Sequence, residues 1–493
     1  MSGSVKDYDN VFLSGNLDKD IATFKTIFSR DAALRTREIL IGGQVRCFLI
    51  FLDGMINSAQ LGETVVESLI EATLSKTDII DCDFIAKNIL FANEVSVADK
   101  LSDMLRAILY GDTVLIANQN KLALTINTKG WRARGIKEPD SERVLQGPRE
   151  GFDEAAMFNL AMIRRKLLTP DLCIELTRIG RRTDTPVFIC YLGSLANQKT
   201  VTELKRRLNK IDIDGILDSN YIAENIRDGK YSLLKTTGST ERPDVVAARL
   251  LEGRIALVVD GTPVVLTLPY LFSENFQSDE DYYINFTLAS LARLLRWFCF
   301  FVTVSVPGVF VALITHHFNL LPTHFALTVA RLRAGVPIAS VAECLALIFA
   351  FEILKEAGVR MPQNLGHALS VVGGLVIGQA AVEAGIISAP MLIAVAFSAI
   401  AGLMVPRLTA AVFYWRVIVV ISCAILGIYG YLIFISLFAL KVFSIKSFDT
   451  DYTESFANPS FQNLKDSFLR APWPLMKTRP SFNKNKFRKG TMK

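Results

Sequence analysis

Apolar residues are distributed very unevenly along the chain. Four stretches contain no Asp, Glu, Lys or Arg, and all lie in the second half, at 297–330, 361–382, 384–406 and 417–440. A helix needs roughly 20 predominantly apolar residues to cross a bilayer core of about 30 Å, and each stretch meets that length. No comparable stretch precedes Arg296. The pattern predicts a soluble N-terminal half joined to a bundle of transmembrane helices.

The first 140 residues mix the two periodicities of an α/β unit. The segment 46–53 is typical of a strand, and 113–116 with 121–126 predicts a hairpin. Apolar residues at helical spacing predict helices at 59–75 and 97–109.

A second α/β unit is predicted from about residue 155 onward. Helices are expected at 155–168 and 199–211, with a strand at 187–192. The clearest local signal is Asp260-Gly261, which is flanked by two β-branched runs. This residue pair favours the tight turn of a β-hairpin because glycine accepts a positive φ.

The C-terminal half predicts four spanning helices, at 294–315, 366–384, 390–405 and 415–440. A fifth segment, 336–357, contains Glu343, Glu352 and Lys355, and it fits a pore-facing span, a re-entrant segment or an interfacial helix. Four spans would return the tail to the side of the N-terminal half. A fifth would place it on the opposite side, and the four-span count is preferred because it keeps the basic tail in the cytoplasm.

These patterns predict an α/β N-terminal region of two subdomains and an all-α polytopic transmembrane helical domain with four to five membrane segments. The expected boundaries are 1–145 and 146–285 for the subdomains, 286–443 for the transmembrane domain and 444–493 for a basic tail. Residues 1–10 lack the apolar core of a signal peptide, so the N-terminal region is expected to be cytoplasmic. The basic tail suits an anionic membrane face better than nucleic acid.

Several classes of enzyme are excluded by the residues present. All four histidines, His316, His317, His324 and His367, lie in the second half, so the soluble half has no Ser–His or Cys–His catalytic pair. No GxxxxGKS/T loop or GxGxxG turn occurs, and the seven cysteines form no CxxC pair. We therefore expect no enzyme, no catalytic residue, no metal site and no cofactor, and instead a protein that binds, couples or conducts.

Three carboxylates within apolar sequence are the strongest candidates for function. Glu343, Glu352 and Glu383 lie in segments where an unpaired charge facing lipid would cost several kcal/mol. Such residues normally face the interior of a helix bundle or water. They are candidates for attracting cations to a pore.

One helical face combines apolar and polar candidates for a pore. Val372, Val376, Gln379 and Glu383 are spaced at i, i+4, i+7 and i+11. In a ring of subunits this face would form a constriction at the valines with an acidic mouth below it.

Two glycines lie in the same helix, and a simpler alternative exists for its polar face. Gly374 and Gly378 form a GxxxG pattern that allows close helix packing. The alternative is that this helix only packs against its neighbours, with Glu383 at the membrane surface.

Six ordered motifs carry a resemblance to a known family. They are QGPREGF at 146–152, TERPD at 240–244, LEGRIALVVDGTP at 251–263, EDYY at 280–283, EAGVRMP at 356–362 and VGGLVIGQAAVEAG at 372–385. In this order and spacing the chain resembles the GerA family of bacterial spore germination proteins, specifically the A subunit of germinant receptors. The TERPD and EDYY segments are expected to join the second subdomain to the membrane domain.

The resemblance implies an integral membrane protein of the spore inner membrane with a cytoplasmic N-terminal region. Its implied partners are membrane lipid, a transporter-like B subunit that recognises the nutrient and a lipoprotein C subunit, with no nucleic acid. The A subunit is implied to form a homo-oligomeric ring, expected to be a pentamer, which conducts cations when nutrient binds and so triggers germination.

Three alternatives remain open at this stage. The chain could be an A-like paralogue associated with the dipicolinic-acid channel, whose motifs overlap with those of receptor subunits. It could be a receptor scaffold that does not conduct ions. A secondary transporter would need inverted repeats and discontinuous helices, which the second half does not display.

Overall fold

The computed structural model describes residues 4–74, 81–130, 139, 142, 144, 146–229, 232–360, 378–454 and 465–480. Among these residues the N-terminal half contains two antiparallel sheets with helices on both faces, and the C-terminal half is helical. The mixed α/β N-terminal region and the helical C-terminal region are as the sequence predicted.

The first sheet has five antiparallel strands in the order β1-β2-β4-β5-β3. Its strands are β1 Leu34–Ile41, β2 Val45–Leu52, β3 Val95–Ala98, β4 Thr113–Ala117 and β5 Ala123–Ile126. Its helices are α1 Leu17–Ile27, α2 Ser58–Leu61, α3 Glu67–Glu71, α4 Cys82–Phe84 and α5 Leu101–Tyr110, with π-helical turns at Gly62–Val66 and Ile85–Ile89.

Alternate residues of the central strands pack into two separate hydrophobic cores. In β2, Ile50 and Leu52 pack under α1 and α5 on one face, whereas Cys47 and Leu49 pack under α2–α4 on the other. This follows from the two-residue period of a strand. The thiol of Cys47 is fully buried, and burial raises its pKa to about 12, so it acts as a packing residue.

The second sheet repeats the arrangement of the first. Its order, β6-β7-β9-β10-β8, corresponds strand for strand to that of the first sheet. Its strands are β6 Leu172–Ile179, β7 Thr185–Leu192, β8 Gly238–Thr240, β9 Ile255–Val259 and β10 Val265–Leu268. Its helices are α6 Ala156–Lys166, α7 Gln198–Leu208, α8 Ser219–Ile226 and α9 Pro243–Leu251. This repeat was not predicted from the sequence.

The two α/β units are joined by buried polar contacts. Arg164 of α6 pairs with Asp31, and both side chains are almost wholly buried. Beside this pair, the Ile174 amide donates to the Arg30 carbonyl at 2.8 Å, and the Ala32 amide donates to the Ile174 carbonyl at 2.8 Å. The first unit is therefore attached to the edge strand of the second.

Two local predictions in this half need correction. The helix predicted at 97–109 begins at Leu101, because Val97 belongs to β3 and pairs with Leu124 of β5. Gly261 has φ +88° and lies between β9 and β10 as expected, but five residues rather than two separate these strands. Strand β1, which pairs with β2 along its whole length, was missed because its first five residues, LRTRE, are mainly polar or charged and give no apolar pattern.

The helical region is built around one long helix. Its described helices are α10 Phe286–Thr315, α11 Thr323–Arg333, α12 Ser340–Arg360, α13 at 378–383, α14 Ala389–Gly402, α15 Thr409–Leu426 and α16 Ile428–Ser444. Helix α10 packs against α12, α14, α15 and α16. Two described helical segments, Phe286–Thr315 and Pro406–Leu426, are long and apolar enough to cross a bilayer.

The span predicted at 415–440 is wrong as a single helix. The chain breaks at Gly427, where φ is +60° and ψ is −140°, a conformation that is essentially restricted to glycine. Helix α16 then folds back along α15, and a Cβ on Gly430 would lie 2.0 Å from the Ser422 carbonyl oxygen. Hydropathy missed the break because both helices are apolar. The predicted span at 390–405 is a helix of only 14 residues.

The tail after α16 returns to the second α/β unit. It forms a short hairpin, β11 Lys446–Ser447 with β12 Thr450–Asp451. The Ser447 hydroxyl accepts from the Tyr270 amide at 3.0 Å and donates to the Thr236 carbonyl at 2.7 Å. The hairpin therefore lies beside the second sheet. The break at Gly427 adds a turn that neither predicted span count includes.

We expect Gly430→Ala to destabilise the α15–α16 hairpin, because its methyl group would meet the Ser422 backbone. Overpacking of this kind typically costs about 1–3 kcal/mol of folding free energy. The thermal unfolding midpoint of the full chain in detergent should fall. Gly335→Ala is the matched control, since nothing lies within 4 Å of its added Cβ. Equal midpoints for the two variants would contradict the packing of α16 on α15.

Candidate functional site

The predicted pore face is described only at its polar end. Val372, Gly374 and Val376 lie outside the described residues. Gln379 and Glu383 are exposed on α13, and the Gln379 amide nitrogen donates to the Glu383 carboxylate at 2.8 Å. The two polar residues therefore share one helical face, as their spacing predicted. Gly378 faces Leu392 of α14.

Glu343 is buried and holds two helices together. Its Oε1 accepts from both the amide and the hydroxyl of Ser388, each at 2.6 Å. Ser388 caps the start of α14, where a carboxylate is favoured by the helix dipole. The other oxygen, Oε2, lies 3.6 Å from Nη2 of Arg333 at the end of α11.

Glu352 has different surroundings. It lines a cavity between α12, α14 and α15, and its carboxylate pairs with Lys355 one turn later. The buried Arg416 of α15 lines the same cavity. The structure of one chain therefore does not bring Glu343, Glu352 and Glu383 together. In the part of the chain that is described, no group of three or more His, Cys, Asp or Glu side chains could hold a metal ion.

A buried charge cluster joins the EDYY segment to the first long apolar helix. Asp281 is fully buried and accepts from Nε of Arg293 at 2.8 Å and from Nη1 of Arg296 at 2.9 Å. Arg293 also donates to Asp466 of the tail at 2.6 Å, and the Tyr282 hydroxyl donates to the same carboxylate at 2.8 Å. Three separate segments therefore meet around the guanidinium of Arg293.

A second contact joins EDYY to the TERPD segment. The Tyr283 hydroxyl donates to Oδ2 of Asp244, which also accepts from Arg242 at 2.7 Å. Burial and this hydrogen bond raise the pKa of the Tyr283 phenol, so it stays a donor at neutral pH. Gly147 of the QGPREGF motif packs on the ring, and an added Cβ there would lie 2.7 Å from it.

The LEGR segment adds a third buried pair. Arg254 donates to Glu274 at 2.5 Å and to the Pro269 carbonyl at 2.8 Å. The Glu274 carbonyl in turn accepts from Arg407, in the turn between α14 and α15, at 3.0 Å. Four of the six motifs, 146–152, 240–244, 251–263 and 280–283, thus meet at this junction.

Most of the residues that pair with the motif residues at this junction were not predicted from the sequence. Arg293, Arg296, Glu274 and Asp466 were not singled out, because none lies in the quoted motifs. One signal was available: Arg293 and Arg296 are one turn apart on the same face of a helix, at the start of an apolar stretch. Cations placed there need anionic partners, although the sequence does not say which.

Comparisons with known proteins agree over nearly the whole chain. The family model described as Bacillus/Clostridium GerA spore germination protein matches residues 22–482. Spore germination protein KA of Bacillus subtilis is 38% identical over 475 residues, covering 95% of this chain and 87% of that protein. Spore germination protein GerLA of Bacillus cereus is 32% identical over 478 residues, covering 96% and 97%.

A solved structure is also similar to the N-terminal half. It is the crystal structure of the N-terminal domain of the A subunit of the Bacillus megaterium spore germinant receptor GerK3, with 31% identity and a TM-score of 0.40. The match covers 53% of this chain and 97% of the solved one. With the family model matching residues 22–482, the chain belongs to the GerA family of spore germination proteins.

Proposed function

We propose that this chain is the A subunit of a nutrient germinant receptor and forms an oligomeric, nutrient-gated cation channel in the spore inner membrane. Membership of the GerA family supports the role in germination. The proposed N-terminal region is cytoplasmic, and the proposed subunit is not an enzyme. It works with a transporter-like B subunit, a lipoprotein C subunit and other copies of itself in a ring, for which a pentamer is the proposed size.

Placement of the helical region in a membrane is supported by its surface. Large apolar side chains on α10, α14 and α16 are more than half exposed; examples are Phe298, Ile393 and Leu437. Water would disfavour a continuous apolar surface of this kind, whereas lipid tails would not.

The observation that carries the channel proposal is the polar pair on α13. Gln379 and Glu383 are exposed on one chain, next to the apolar helix α14. Polar groups within a membrane region normally face a bundle interior or water. Copies arranged around this face would give the pair an aqueous lining, with Val372 and Val376 at the constriction. Glu343 and Glu352 are the further proposed candidates for attracting cations.

Transmission of a signal to the helices is supported by the junction. Asp281 is fixed by two arginines of α10, and the adjacent Tyr283 is fixed to Asp244 of the second unit. A movement of the second unit would therefore displace the start of α10. This route would couple the α/β region to the gate.

We expect Val376→Ala to open the channel without nutrient, because a smaller side chain widens and wets an apolar constriction. Ion flux through the assembled receptor in liposomes should become constitutive, and Val372→Ala should act in the same direction. Val382→Ala, which the helical period places on another face than Val372 and Val376, is the control and should keep nutrient dependence. Flux that stays nutrient-dependent in both gate variants would contradict this assignment. No flux in any variant would leave the chain as a scaffold.

We expect Tyr283→Phe to weaken coupling across the junction, because Asp244 loses one donor and keeps Arg242. The loss of one hydrogen bond to a charged group typically costs about 1.5–3 kcal/mol. Nutrient-gated flux should fall while assembly of the receptor is retained. Tyr221→Phe, on the exposed face of α8, should leave flux unchanged. A response equal to that of the wild type would show that this contact does not transmit the signal.

A further inference from the structure

The cavity between α12, α14 and α15 is mostly apolar, yet its described lining carries a net positive charge. Its volume is about 290 Å³, and most of its described lining is apolar. Glu352, Lys355 and Arg416 are the charged side chains among the described lining residues. Because Glu352 pairs with Lys355, the three groups together leave one net positive charge. Once this ion pair is set aside, the remaining positive charge is the guanidinium of Arg416.

Arg416 is buried, and no ion pair joins it to any of the described residues. Its side chain is on α15, the residue is 6% exposed, and its Nε has no hydrogen-bond partner. Among the described residues, the carboxylate of Glu352 acts on its guanidinium only beyond ion-pair distance, and that carboxylate is itself paired with Lys355. Nη2 lies against Gly402, where an added Cβ would be 3.4 Å away.

An uncompensated guanidinium in an apolar bundle is costly. The penalty for a charge in a low-dielectric region is several kcal/mol, and proteins reduce it by pairing the charge. The cavity gives Arg416 room for an external anion. Since the rest of the lining is apolar, the ligand should carry an apolar part beside its negative group.

The position of the cavity indicates which anion fits. It lies at the end of α14 and the start of α15, and Arg407 between them contacts the Glu274 carbonyl on the side of the sheets. Arg416 is seven residues beyond Thr409, or about 10 Å along the helix. This depth is within reach of a head group at the membrane surface on that side.

A track of apolar side chains leads away from the cavity. Ile400, Phe397 and Ile393 follow one face of α14 at spacings of three and four residues, and all are more than half exposed. The track runs from the side of the sheets toward the start of α14. An acyl chain attached to a head group at Arg416 would follow the same direction.

We propose that this cavity binds an anionic phospholipid. Its phosphate pairs with Arg416 and is contacted by Lys355, and one acyl chain lies along Ile400, Phe397 and Ile393. The inference needs the helical region to lie in a bilayer, but it does not depend on ion conduction or on the gate at Val376.

Native mass spectrometry of the full chain tests the site. The protein is purified in detergent with equal amounts of phosphatidylglycerol and phosphatidylcholine, and retained lipid is counted. The wild type should retain phosphatidylglycerol preferentially. Arg416→Gln should lower this retention about tenfold, as expected for the loss of one charge-assisted contact. Arg360→Gln, which removes an exposed arginine from the same end of α12, is the control and should behave as the wild type.

Two further variants distinguish a loss of lipid binding from a loss of folding. Arg416→Lys keeps the charge and should retain more phosphatidylglycerol than Arg416→Gln. Lys355→Gln removes a half-buried charge at the rim of the cavity and should also lower the retention of phosphatidylglycerol. Equal retention of the two lipids by the wild type, or unchanged retention in Arg416→Gln, would overturn the proposal.

Two other results would replace the lipid with a different occupant. Inorganic phosphate that binds without lipid and displaces phosphatidylglycerol would identify a free-anion site. Separation of the copies of the chain by Arg416→Gln, with lipid retention unchanged, would assign Arg416 to a contact between subunits. Neither result depends on ion flux, so failure here and failure of the channel proposal are distinguishable.

Discussion

The pairing of Asp281 with two arginines of α10 is the contact on which the arrangement of the two halves depends. Asp281 and Arg293 are both fully buried, so each charge is tolerable only because the other is present. Removing one partner of a buried ion pair typically costs about 3–5 kcal/mol, because the other charge is left uncompensated. Asp466 extends the pair to the tail. The long apolar helix is thus fixed at its first turns to two other segments.

The two α/β units differ in their contacts to the rest of the chain. Both units have the same strand order, yet the contacts to α10 and to the tail come from the second unit and the segment after it. The first unit is connected through Arg164 and Asp31 at the edge strand β6. The second unit and the segment after it therefore hold the helices, and the first unit is attached to the second.

The polar groups of the helical region have distinct environments. Glu343 fixes the start of α14 through Ser388, the Glu352 carboxylate pairs with Lys355, and Glu383 is exposed beside Gln379. Arg416 lines a cavity with room for an anion and forms no ion pair with the described residues. In the sequence the three glutamates form one group, because an unpaired charge on any of them would have a high free-energy cost in lipid. Their surroundings differ because Glu343 and Glu352, nine residues apart on α12, point to opposite faces of that helix, and Glu383 lies on α13.

Local pattern by itself determined the division of the chain, the α/β character of the first half and the helical character of the second. It also placed the hairpin at Gly261 and the shared face of Gln379 and Glu383, because these depend on residues near one another in sequence. It did not determine the break at Gly427, which depends on backbone conformation, or the repeat of strand order, which depends on pairing across the chain. The partners of Asp281, Asp244 and Glu343 were likewise decided only by tertiary structure. A buried charge is satisfied by whichever segment the fold brings next to it, and for Arg293 and Asp466 that segment is 173 residues away.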